Sequence, residues 1–538
     1  MTDIIIPEQN TALTQAYREK GYYLDETLSS WLKGNATNLS ANPAIISSNG
    51  NKTYTDLSRE VSRLAAGLQA LGLKKGDIIA VQLPNIPEFI VSYLAIASIG
   101  GIMQTLHMPY QKSELEYLLG DSAASAVICL SQFKDSSPAS TLLALANTLE
   151  NSFKVISLGP KIESALSFNE LLKSTDSLIN ESIHPTDPFV LLYTSGTTSM
   201  PKGVPHRYNN FLSNARLCCE EYSFTQKDKL FSVAPMTHLY GLFIYNMTLS
   251  IGASSVLLPA FNVEAFIETV KTQQPTAIFA APAHFAAGFQ TGALKNSDFE
   301  SVRFVCLSGS SVAPELAKQV DSLLLNGKVG QLWGMSELQA GAITRLNDSE
   351  ATRCSSSGRP TPGTELKIIS SDEQAVPSNT EGELLVKGLS VFSGYLNKTE
   401  ESEKSFTEDG WFRTGDMAML DDDGNLIITG RTKHLINRGG VKYNPLEIEN
   451  IINLLPQVNQ CAVIPVEDDV LGEKAYLFVL LNNEHQLDLE DVSDLLRTQD
   501  IAKYKWPEKL IIIENMPLTP TNKIKHEELK KHLLPNEA

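Results

Sequence analysis

The chain has 538 residues, of which 42% are hydrophobic, and it carries a formal net charge of −18 with a pI of about 5.0. This length allows a large core and exceeds one ordinary domain, so at least two domains are expected. The acidic balance argues against general binding of nucleic acid or anionic membranes, because such partners require summed positive charge.

Six cysteines are present without a CxxC pair, which favours reduced thiols in the cytoplasm over a disulfide framework or a zinc site. The N-terminus lacks the basic start and the long apolar run of a signal peptide. The longest apolar stretch, residues 89–103, is shorter than the roughly 20 residues that span a bilayer, so it is predicted as a buried helix.

The first part of the chain alternates between helical and strand patterns. Residues 55–71 predict an amphipathic helix, because leucine and valine recur on one helical face until Gly72. Strands are expected at residues 77–83 and 126–130. This alternation favours helices wound onto a mostly parallel sheet.

Residues 194–203, Thr-Ser-Gly-Thr-Thr-Ser-Met-Pro-Lys-Gly, follow the apolar run 189–193 and predict a loop after a strand. The loop can present hydroxyls, backbone N–H groups and a lysine to a polyphosphate. It is not the common P-loop, because Pro201 precedes Lys202. A flexible surface loop is the alternative interpretation. The candidate phosphate-binding residues are Thr194, Ser195, Gly196, Thr197, Thr198 and Lys202.

His238 lies among apolar residues and beside Tyr240, a setting that fits a hydrogen-bonded core histidine as well as a pocket residue. Strands are predicted at residues 276–281 and 301–307. The second strand is followed by Gly309, Ser310 and Ser311, and then by Pro314 at the first turn of a predicted helix. A strand, a glycine turn and a helix in this order typically bind a ligand at the carboxyl end of a parallel sheet.

Residues 331–337 bring together an aromatic ring and a carboxylate. Trp333 offers a face for a purine, and Glu337 offers a hard oxygen ligand suited to Mg²⁺. A core tryptophan and a solvated glutamate are the alternatives.

Asp416 and Arg431 are separated by about one hairpin, whose turn is predicted at residues 421–425. Both side chains suit ribose hydroxyls, one as acceptor and one as donor. A structural ion pair is the alternative.

From residue 434 onward the segments are short, with helices expected near residues 445 and 488–497 and strands at 461–466, 475–481 and 510–513. This predicts a compact α+β unit of ordinary domain size. Lys523 follows a proline-rich stretch in which Asn522 tolerates a left-handed turn, although an ordinary exposed lysine also fits.

Taken in order, these motifs resemble those of the acyl-adenylate-forming superfamily, which includes acyl-CoA synthetases, aryl-acid ligases, nonribosomal adenylation domains and luciferases. The resemblance covers essentially the whole chain. Three positions depart from the superfamily pattern: Ser199 and Asn522 stand where glycine is usual, and Ser336 stands where threonine is usual.

The resemblance implies an α/β fold with a large multi-layer N-terminal domain of mostly parallel sheets and a small mobile α+β C-terminal domain. The expected boundaries are residues 1–430 for the first domain, 431–434 for a hinge that contains Lys433, and 435–538 for the second domain. The small domain is expected to swing about the hinge between two half-reactions.

The implied reaction uses ATP, Mg²⁺ and coenzyme A. A carboxylate attacks the α-phosphate of ATP, pyrophosphate leaves, and the acyl group passes from the adenylate to a thiol. By resemblance, Lys523 contacts the carboxylate and the α-phosphate, His238 borders the acyl pocket and Glu337 holds Mg²⁺. The remaining implied contacts are the phosphate loop listed above, Gly309, Ser310 and Ser311 along the adenine, Trp333, Gly334, Met335 and Ser336 around the nucleotide, Asp416 and Arg431 on the ribose, and Gly439, Gly440 and Lys442 towards coenzyme A.

The acid pocket is expected to include residues 281–285 and 338–341, which are apolar and aromatic with few charges. A short or medium aliphatic acid or an aromatic acid is therefore favoured over a dicarboxylate. The alternatives are an enzyme that loads a carrier protein, a nonenzymatic nucleotide-binding relative, and a luciferase-like monooxygenase. No nucleic-acid partner and no membrane span are expected.

Overall fold

The structure is a computed structural model that describes residues 4–175, 181–194, 200–439, 441–468, 470–482, 485–519 and 523–533. The chain divides into two compact units. The first comprises Met1–Thr194, Pro201–Glu365 and Val386–Phe412, and the second comprises Ser195–Met200, Leu366–Leu385 and Arg413–Ala538.

The α-helices, in chain order, are α1 (Thr11–Glu19), α2 (Leu28–Asn38), α3 (Tyr54–Ala70), α4 (Pro87–Ser98), α5 (Lys112–Ser122), α6 (Pro138–Ala146), α7 (Phe168–Leu171), α8 (Tyr208–Glu221), α9 (Leu239–Ser250), α10 (Val263–Gln273), α11 (Pro282–Gln290), α12 (Pro314–Leu323), α13 (Glu350–Ser355), α14 (Thr399–Lys404), α15 (Leu446–Ile452), α16 (Leu489–Thr498) and α17 (His526–Leu529).

The strands are β1 (Pro43–Ile46), β2 (Lys52–Thr53), β3 (Ile78–Gln82), β4 (Ile102–Thr105), β5 (Ala126–Leu130), β6 (Lys154–Leu158), β7 (Leu166–Ser167), β8 (Pro188–Tyr193), β9 (Gly203–Arg207), β10 (Lys229–Ser232), β11 (Ser254–Val256), β12 (Ala277–Ala280), β13 (Phe304–Leu307), β14 (Lys328–Met335), β15 (Gln339–Ile343), β16 (Arg359–Pro360), β17 (Thr364–Ile369), β18 (Gly382–Gly388), β19 (Phe412–Leu420), β20 (Leu426–Arg431), β21 (Ile436–Arg438), β22 (Val441–Tyr443), β23 (Val458–Asp468), β24 (Gly472–Leu481) and β25 (Lys509–Ile512).

The described residues of the first unit contain two sheets that are parallel at their centres. One has the strand order β7-β6-β5-β3-β4-β8-β9, and the other has the order β16-β15-β14-β13-β12-β10-β11-β1-β2. Among the described residues of these two sheets, the antiparallel pairs lie at the sheet margins, between β8 and β9, β14 and β15, β15 and β16, and β1 and β2. The expected large α/β domain with mostly parallel sheets is confirmed.

Helix α3 confirms the amphipathic helix that the hydrophobic pattern of residues 55–71 predicts. Its apolar positions, including Leu57, Val61 and Leu64, are buried on one face. A capping box between Thr53 and Asp56 starts the helix, so it begins at Tyr54, one residue earlier than expected.

The apolar stretch 89–103 is not one helix. Helix α4 ends at Ser98 and β4 begins at Ile102, because Gly100 adopts φ +70° and ends the helix. A side chain at Gly101 would lie 3.0 Å from Ile96 Cγ2, so the turn depends on glycine at both positions. Within the part of the chain that the structure describes, no helix has both the length and the apolar character needed to cross a bilayer.

The second unit contains a mixed five-stranded sheet. Four of its strands pair antiparallel in the order β22-β21-β24-β23, and the fifth strand, β25, pairs parallel with β24. Helices α15 and α16 cover it through a core that includes Ile448, Val463 and Leu496. The same unit holds residues 366–369, 382–385, 413–420 and 426–431 of the four-stranded sheet β17-β18-β19-β20. The expected α+β character of the C-terminal segment is confirmed.

All six cysteines are free thiols and all six are buried. Burial raises the pKa of Cys129, Cys219 and Cys306 to about 12. These thiols therefore stay protonated and act as small apolar core residues.

Candidate active site

Parallel strands β10, β12, β13 and β14 have their carboxyl ends along one edge of the nine-stranded sheet. His238 follows β10, residues 281–285 follow β12, residues 309–311 follow β13, and residues 333–337 end β14 and begin the next turn. Four segments that the sequence predicts to bind ligand therefore lie along the same edge.

Asn85, which follows β3 of the seven-stranded sheet, joins this edge to the other sheet. Its Nδ2 donates to the Ala234 carbonyl at 3.0 Å, and its Oδ1 accepts from the Met236 amide at 2.7 Å. Asn85 is buried, so both bonds lie out of solvent. The carboxyl edges of the two sheets consequently meet within the first unit.

The candidate phosphate loop, residues 194–202, connects two antiparallel strands, with Tyr193 of β8 opposite Gly203 of β9. The Thr194 amide donates to the Lys202 carbonyl at 3.0 Å, and the Lys202 amide donates to Thr194 Oγ1 at 3.2 Å. These bonds close the base of the loop. The other predicted phosphate-binding residues, Ser195, Gly196, Thr197 and Thr198, lie outside the described residues.

Tyr395 joins the lysine of this loop to the candidate metal ligand. Lys202 Nζ lies 4.6 Å from the centroid of the Tyr395 ring, and the Tyr395 hydroxyl donates to Glu337 Oε1 at 2.9 Å. Burial first, and then the negative charge of Glu337, raise the pKa of Tyr395 well above its ordinary value. The hydroxyl therefore keeps the proton that it donates.

Glu337 suits Mg²⁺, because this ion takes oxygen ligands and usually combines one or two carboxylates with water and substrate phosphates. The described residues contain no group of three or more His, Cys, Asp or Glu side chains able to hold a metal ion on their own. A single carboxylate that is 6% exposed fits an ion whose other ligands come from a bound nucleotide. The assignment of Mg²⁺ to Glu337 stays a prediction.

Trp333 and Gly334 are fixed by the β14–β15 hairpin. A side chain at Gly341 on β15 would lie 2.3 Å from Trp333 Cζ3, so the ring packs directly on that glycine. A side chain at Gly334 would lie 1.7 Å from the Gln339 carbonyl oxygen. Trp333 is 8% exposed, and its contact with a purine stays a prediction.

His206 on β9 holds the segment that contains Met335 and Ser336. Its Nε2 donates to the Ser336 carbonyl at 2.6 Å, and its Nδ1 accepts from Asn210 Nδ2 at 3.3 Å. Burial lowers the pKa of His206 to about 4, so the ring is neutral at pH 7. The two bonds match the tautomer with its proton on Nε2.

His238 begins α9, where its Nδ1 accepts from the Tyr240 amide at 3.2 Å. Its ring stacks with that of His107, with centroids 6.3 Å apart. His107 follows β4, and its Nδ1 lies 2.9 Å from Thr237 Oγ1. Burial lowers the pKa of His107 to about 4, so this imidazole is neutral at pH 7. His238 is therefore one member of a histidine pair.

Gly309, Ser310 and Ser311 are exposed between β13 and α12. Gly309 adopts φ +94°, a conformation that glycine favours. Pro314 occupies the first position of α12, so the expected strand, glycine turn and helix are confirmed. The adenine contact stays a prediction.

In the second unit, Asp416 on β19 and Arg431 on β20 are direct cross-strand partners. Arg431 Nε lies 2.6 Å from Asp416 Oδ1, with the Asp416 side chain 4% exposed and the Arg431 side chain 47% exposed. The expected hairpin is confirmed, and its register brings both charged groups to one place. Ribose binding by this pair stays a prediction.

Lys433 lies in the short 3₁₀ helix Thr432–His434. Gly439, at the turn between β21 and β22, adopts φ +60°, and its amide donates to the Leu471 carbonyl at 2.6 Å. Gly440 and the side chain of Lys442 lie outside the described residues. The hinge role of Lys433 and the approach of this turn to coenzyme A stay predictions.

Lys523 is held through its backbone. Its amide donates to Thr519 Oγ1 at 3.0 Å, and its carbonyl accepts from the Thr519 amide at 2.7 Å. Leu518 and Ile524 form an isolated bridge just outside these residues. These bonds fix the backbone of Lys523 against Thr519, and residues 520–522, which include Asn522, lie outside the described residues. The predicted turn before Lys523 stays a prediction.

Sequence reasoning missed three residues of the first-unit site: His107, His206 and Tyr395. His107 carried a usable signal, because it is a polar residue just beyond a predicted parallel strand. Tyr395 and Glu337 are 58 positions apart, and His206 and Ser336 are 130 positions apart. No local pattern reports contacts over such distances.

The fold is that of an α/β protein with parallel sheets and a smaller second unit, and the candidate site lies at the carboxyl edge of those sheets. The chain belongs to the AMP-binding enzyme family, whose match covers residues 32–396. The AMP-binding enzyme C-terminal domain matches residues 447–523. The resemblance to the acyl-adenylate-forming superfamily is confirmed.

Similar proteins include the medium-chain fatty-acid–CoA ligase of Escherichia coli (strain K12), which is 29% identical and aligns over 99% of this chain and 96% of its own length. The 4-coumarate–CoA ligase CCL1 of Humulus lupulus is 29% identical, over 90% of each chain. Among solved structures, ATP-bound MatB from Rhodopseudomonas palustris has a TM-score of 0.84 and 26% identity, covering 95% of this chain and 99% of its own.

Proposed function

We propose that this chain activates a carboxylic acid with ATP through an acyl adenylate and then transfers the acyl group to coenzyme A. The observation that carries the proposal is that Lys202 and Glu337 both contact Tyr395, next to the carboxyl edge of the sheet. The Lys202 ammonium lies over the tyrosine ring, and the Glu337 carboxylate accepts a hydrogen bond from its hydroxyl. A cation and a carboxylate at one point suit a triphosphate and its metal ion. Membership of the AMP-binding enzyme family supports the same reaction.

In the first half-reaction, an oxygen of the substrate carboxylate attacks the α-phosphorus and pyrophosphate leaves. No general base is needed, because a carboxylic acid is already ionised at pH 7. The main demand is to neutralise and align two anions. Lys523 would meet this demand at the attacking carboxylate, and Lys202 would hold the outer phosphates.

The nucleotide would be held at its other end by residues already described. The Ser336 hydroxyl would reach the α-phosphate, and His206 positions the backbone that carries it. Asp416 would accept hydrogen bonds from the ribose hydroxyls, and Arg431 would donate to them. Bound Mg²⁺ would screen the negative charge of the phosphates.

In the second half-reaction, the thiol of coenzyme A attacks the acyl carbon and AMP leaves. The turn at Gly439 would approach the pantetheine arm, since glycine lets a ligand come close to the backbone. Arg438 is an ion-pair partner of Glu508 and also donates to the Tyr504 carbonyl at 3.1 Å, so it helps to hold this turn to the rest of the second unit.

We propose a short or medium aliphatic acid or an aromatic acid as substrate. The candidate pocket segments, residues 281–285 and 338–341, are mostly buried, and they contain no lysine, arginine, aspartate or glutamate. Relatives named as ligases of medium-chain fatty acids and of 4-coumarate support both chemical classes. The six free thiols favour a reducing compartment, so we propose a cytoplasmic location, to be checked by cell fractionation.

A panel of acids tests the function. The purified chain is incubated with ATP, Mg²⁺ and each acid, with and without coenzyme A, and AMP and thioester are measured together. We expect one class of aliphatic or aromatic acid to give AMP and thioester in equal amounts when coenzyme A is present. AMP formation that responds to no acid, or an acyl product only on an added carrier protein, would contradict the proposal.

A further inference from the structure

The segment at residues 392–396 contacts both halves of the candidate phosphate and metal site. The Phe392 amide donates to the Glu337 carbonyl at 2.8 Å. The Leu396 amide donates to the Gly203 carbonyl, also at 2.8 Å. One short stretch of chain is therefore bonded to the backbone beside the candidate metal ligand and to the backbone beside the loop lysine.

Gly203 makes the second contact possible. A side chain there would lie 2.9 Å from Leu396 Cβ and 3.2 Å from Leu191 Cδ1, closer than ordinary packing allows. The strand that follows Lys202 thus approaches the 392–396 segment as only glycine permits. The base of the phosphate loop is held against this segment.

The backbone of Tyr395 is itself fixed. Its amide donates to Ser402 Oγ at 2.8 Å, and Ser402 Oγ donates to the Lys398 carbonyl at 2.6 Å. Gly394 adopts φ +138° and lies so close to Ser402 that a side chain there would be 2.9 Å from Ser402 Cβ. Tyr395 is 6% exposed, so its ring has little freedom to move.

We propose that Tyr395 is a positioning residue that sets the geometry between ATP and its metal ion. Its ring supports the Lys202 ammonium, and its hydroxyl orients the Glu337 carboxylate. This inference rests on the proposed function. It states that Tyr395 sets the distance between Lys202, which would bind phosphate, and Glu337, which would bind the metal ion. Removing the hydroxyl affects the carboxylate alone, whereas removing the ring affects both groups.

Calorimetric titration of ATP separates these two effects. The unsubstituted chain, Tyr395→Phe and Tyr395→Leu are titrated with ATP in the presence of a chelator and again at increasing Mg²⁺. Tyr54→Phe is the matched control, because it also removes a buried tyrosine hydroxyl, which donates to the Ala253 carbonyl at 2.7 Å. Melting temperatures of all variants are recorded alongside.

For Tyr395→Phe, we expect the Mg²⁺ concentration at half-maximal enhancement of ATP binding to rise about tenfold, as for other residues that orient a metal ligand. Its metal-free ATP affinity should stay within about twofold of the unsubstituted chain, because the aromatic ring beneath Lys202 remains. Tyr395→Leu should lose metal-free affinity as well, and Tyr54→Phe should change neither quantity.

An unchanged Mg²⁺ requirement in Tyr395→Phe would overturn this inference and leave the proposed function intact. Equal losses of metal-free affinity in the Phe and Leu variants would also overturn it, because the ring would then have no separate role. Should Tyr395→Leu fail to fold, the Phe variant decides the outcome alone. Absence of ATP binding by the unsubstituted chain would instead contradict the proposed function together with this inference.

Discussion

At the scale of single residues, Lys523 has the most specific predicted role. Lys523→Ala should lower the rate of acyl adenylate formation by at least about 100-fold, because it removes the positive charge that aligns two anions. Thioester formation from a supplied acyl adenylate should be largely spared. The two half-reactions are measured separately, by pyrophosphate release and by thioester formation.

Lys525→Ala is the control for this prediction. Lys525 is a neighbouring lysine whose Nζ lies 3.0 Å from Glu528 Oε1, and it has no assigned contact with substrate. Its loss should leave both half-reactions near their original rates. Equal losses of both half-reactions in Lys523→Ala would show that the role given to this lysine is wrong.

Glu449 on α15 makes the stability of the second unit depend on pH. Its Oε1 accepts from the Val463 amide at 2.8 Å, and burial raises its pKa to about 7 from an ordinary value of 4.5. The folded state therefore binds a proton more tightly than the unfolded state. Its contribution to stability is fully present below pH 4.5 and is lost as the pH rises through 7.

Glu449→Gln should remove this dependence, because glutamine keeps the acceptor and does not ionise. The difference in free energy of unfolding between pH 5 and pH 8 should shrink by on the order of 3 kcal/mol. Urea unfolding at both pH values measures it. Glu447→Gln is the control, since Glu447 is a partly exposed ion-pair partner of Lys505. The same pH dependence in both variants would contradict the assignment to Glu449.

At the scale of the element, the β14–β15 hairpin tests the steric role of Gly334. Gly334→Ala should destabilise the protein by about 1–3 kcal/mol, because the new methyl group collides with the Gln339 carbonyl. ATP affinity should fall with it, since the same strand carries Trp333 and Ser336. Denaturant unfolding and ATP titration give the two readouts.

Gly34→Ala should change the free energy of unfolding in the opposite direction to Gly334→Ala. Gly34 lies inside α2, and apart from its chain neighbours and the backbone of its own helix, no atom would lie within 4 Å of a Cβ there. Alanine should stabilise the helix by up to about 1 kcal/mol, because it loses less backbone entropy on folding. If Gly334→Ala were as well tolerated as Gly34→Ala, the steric account of the hairpin would be wrong.

The helices and strands differ in how far the sequence predicts them. Helix α3 and strands β3, β5, β12 and β13 follow from hydrophobic periodicity and from buried apolar runs, which are local properties. The stretch 89–103 is different, because a fully buried helix and a buried strand look alike in composition, and only two glycines separate them. The antiparallel return of β9 after the phosphate loop also escaped prediction, since pairing partners are set by the whole sheet.

The residues of the candidate site also differ in whether the local sequence reveals them. Lys202, Trp333 and Glu337 belong to compact motifs and could be singled out from their neighbours in sequence. Tyr395 and His206 act through partners far away in the chain, so their roles follow only from the folded arrangement. Motif reasoning finds residues that are expected to touch the substrate more readily than residues that hold those residues in place.

At the scale of the whole molecule, the predicted hinge at residues 431–434 links the two half-reactions. Lys433→Pro should separate them, because proline fixes φ near −65° and a hinge residue must change its backbone angles. We expect one half-reaction to be retained while the other falls by at least about tenfold. Pre-steady-state assays of adenylate and thioester formation measure each step.

Lys433→Ala separates the backbone effect from the side-chain effect, since it leaves φ unrestricted. A loss of the same size in Lys433→Ala would assign the effect to the lysine side chain. Parallel losses of both half-reactions in Lys433→Pro would contradict the hinge.

Because every native thiol is buried, the protein should react slowly with maleimide dyes while folded. A single cysteine placed at an exposed position, such as Val470→Cys in the second unit, where the valine is 88% exposed, would then be labelled without removal of any native cysteine. One fluorescent probe could thus report on the second unit during turnover in an otherwise unaltered protein.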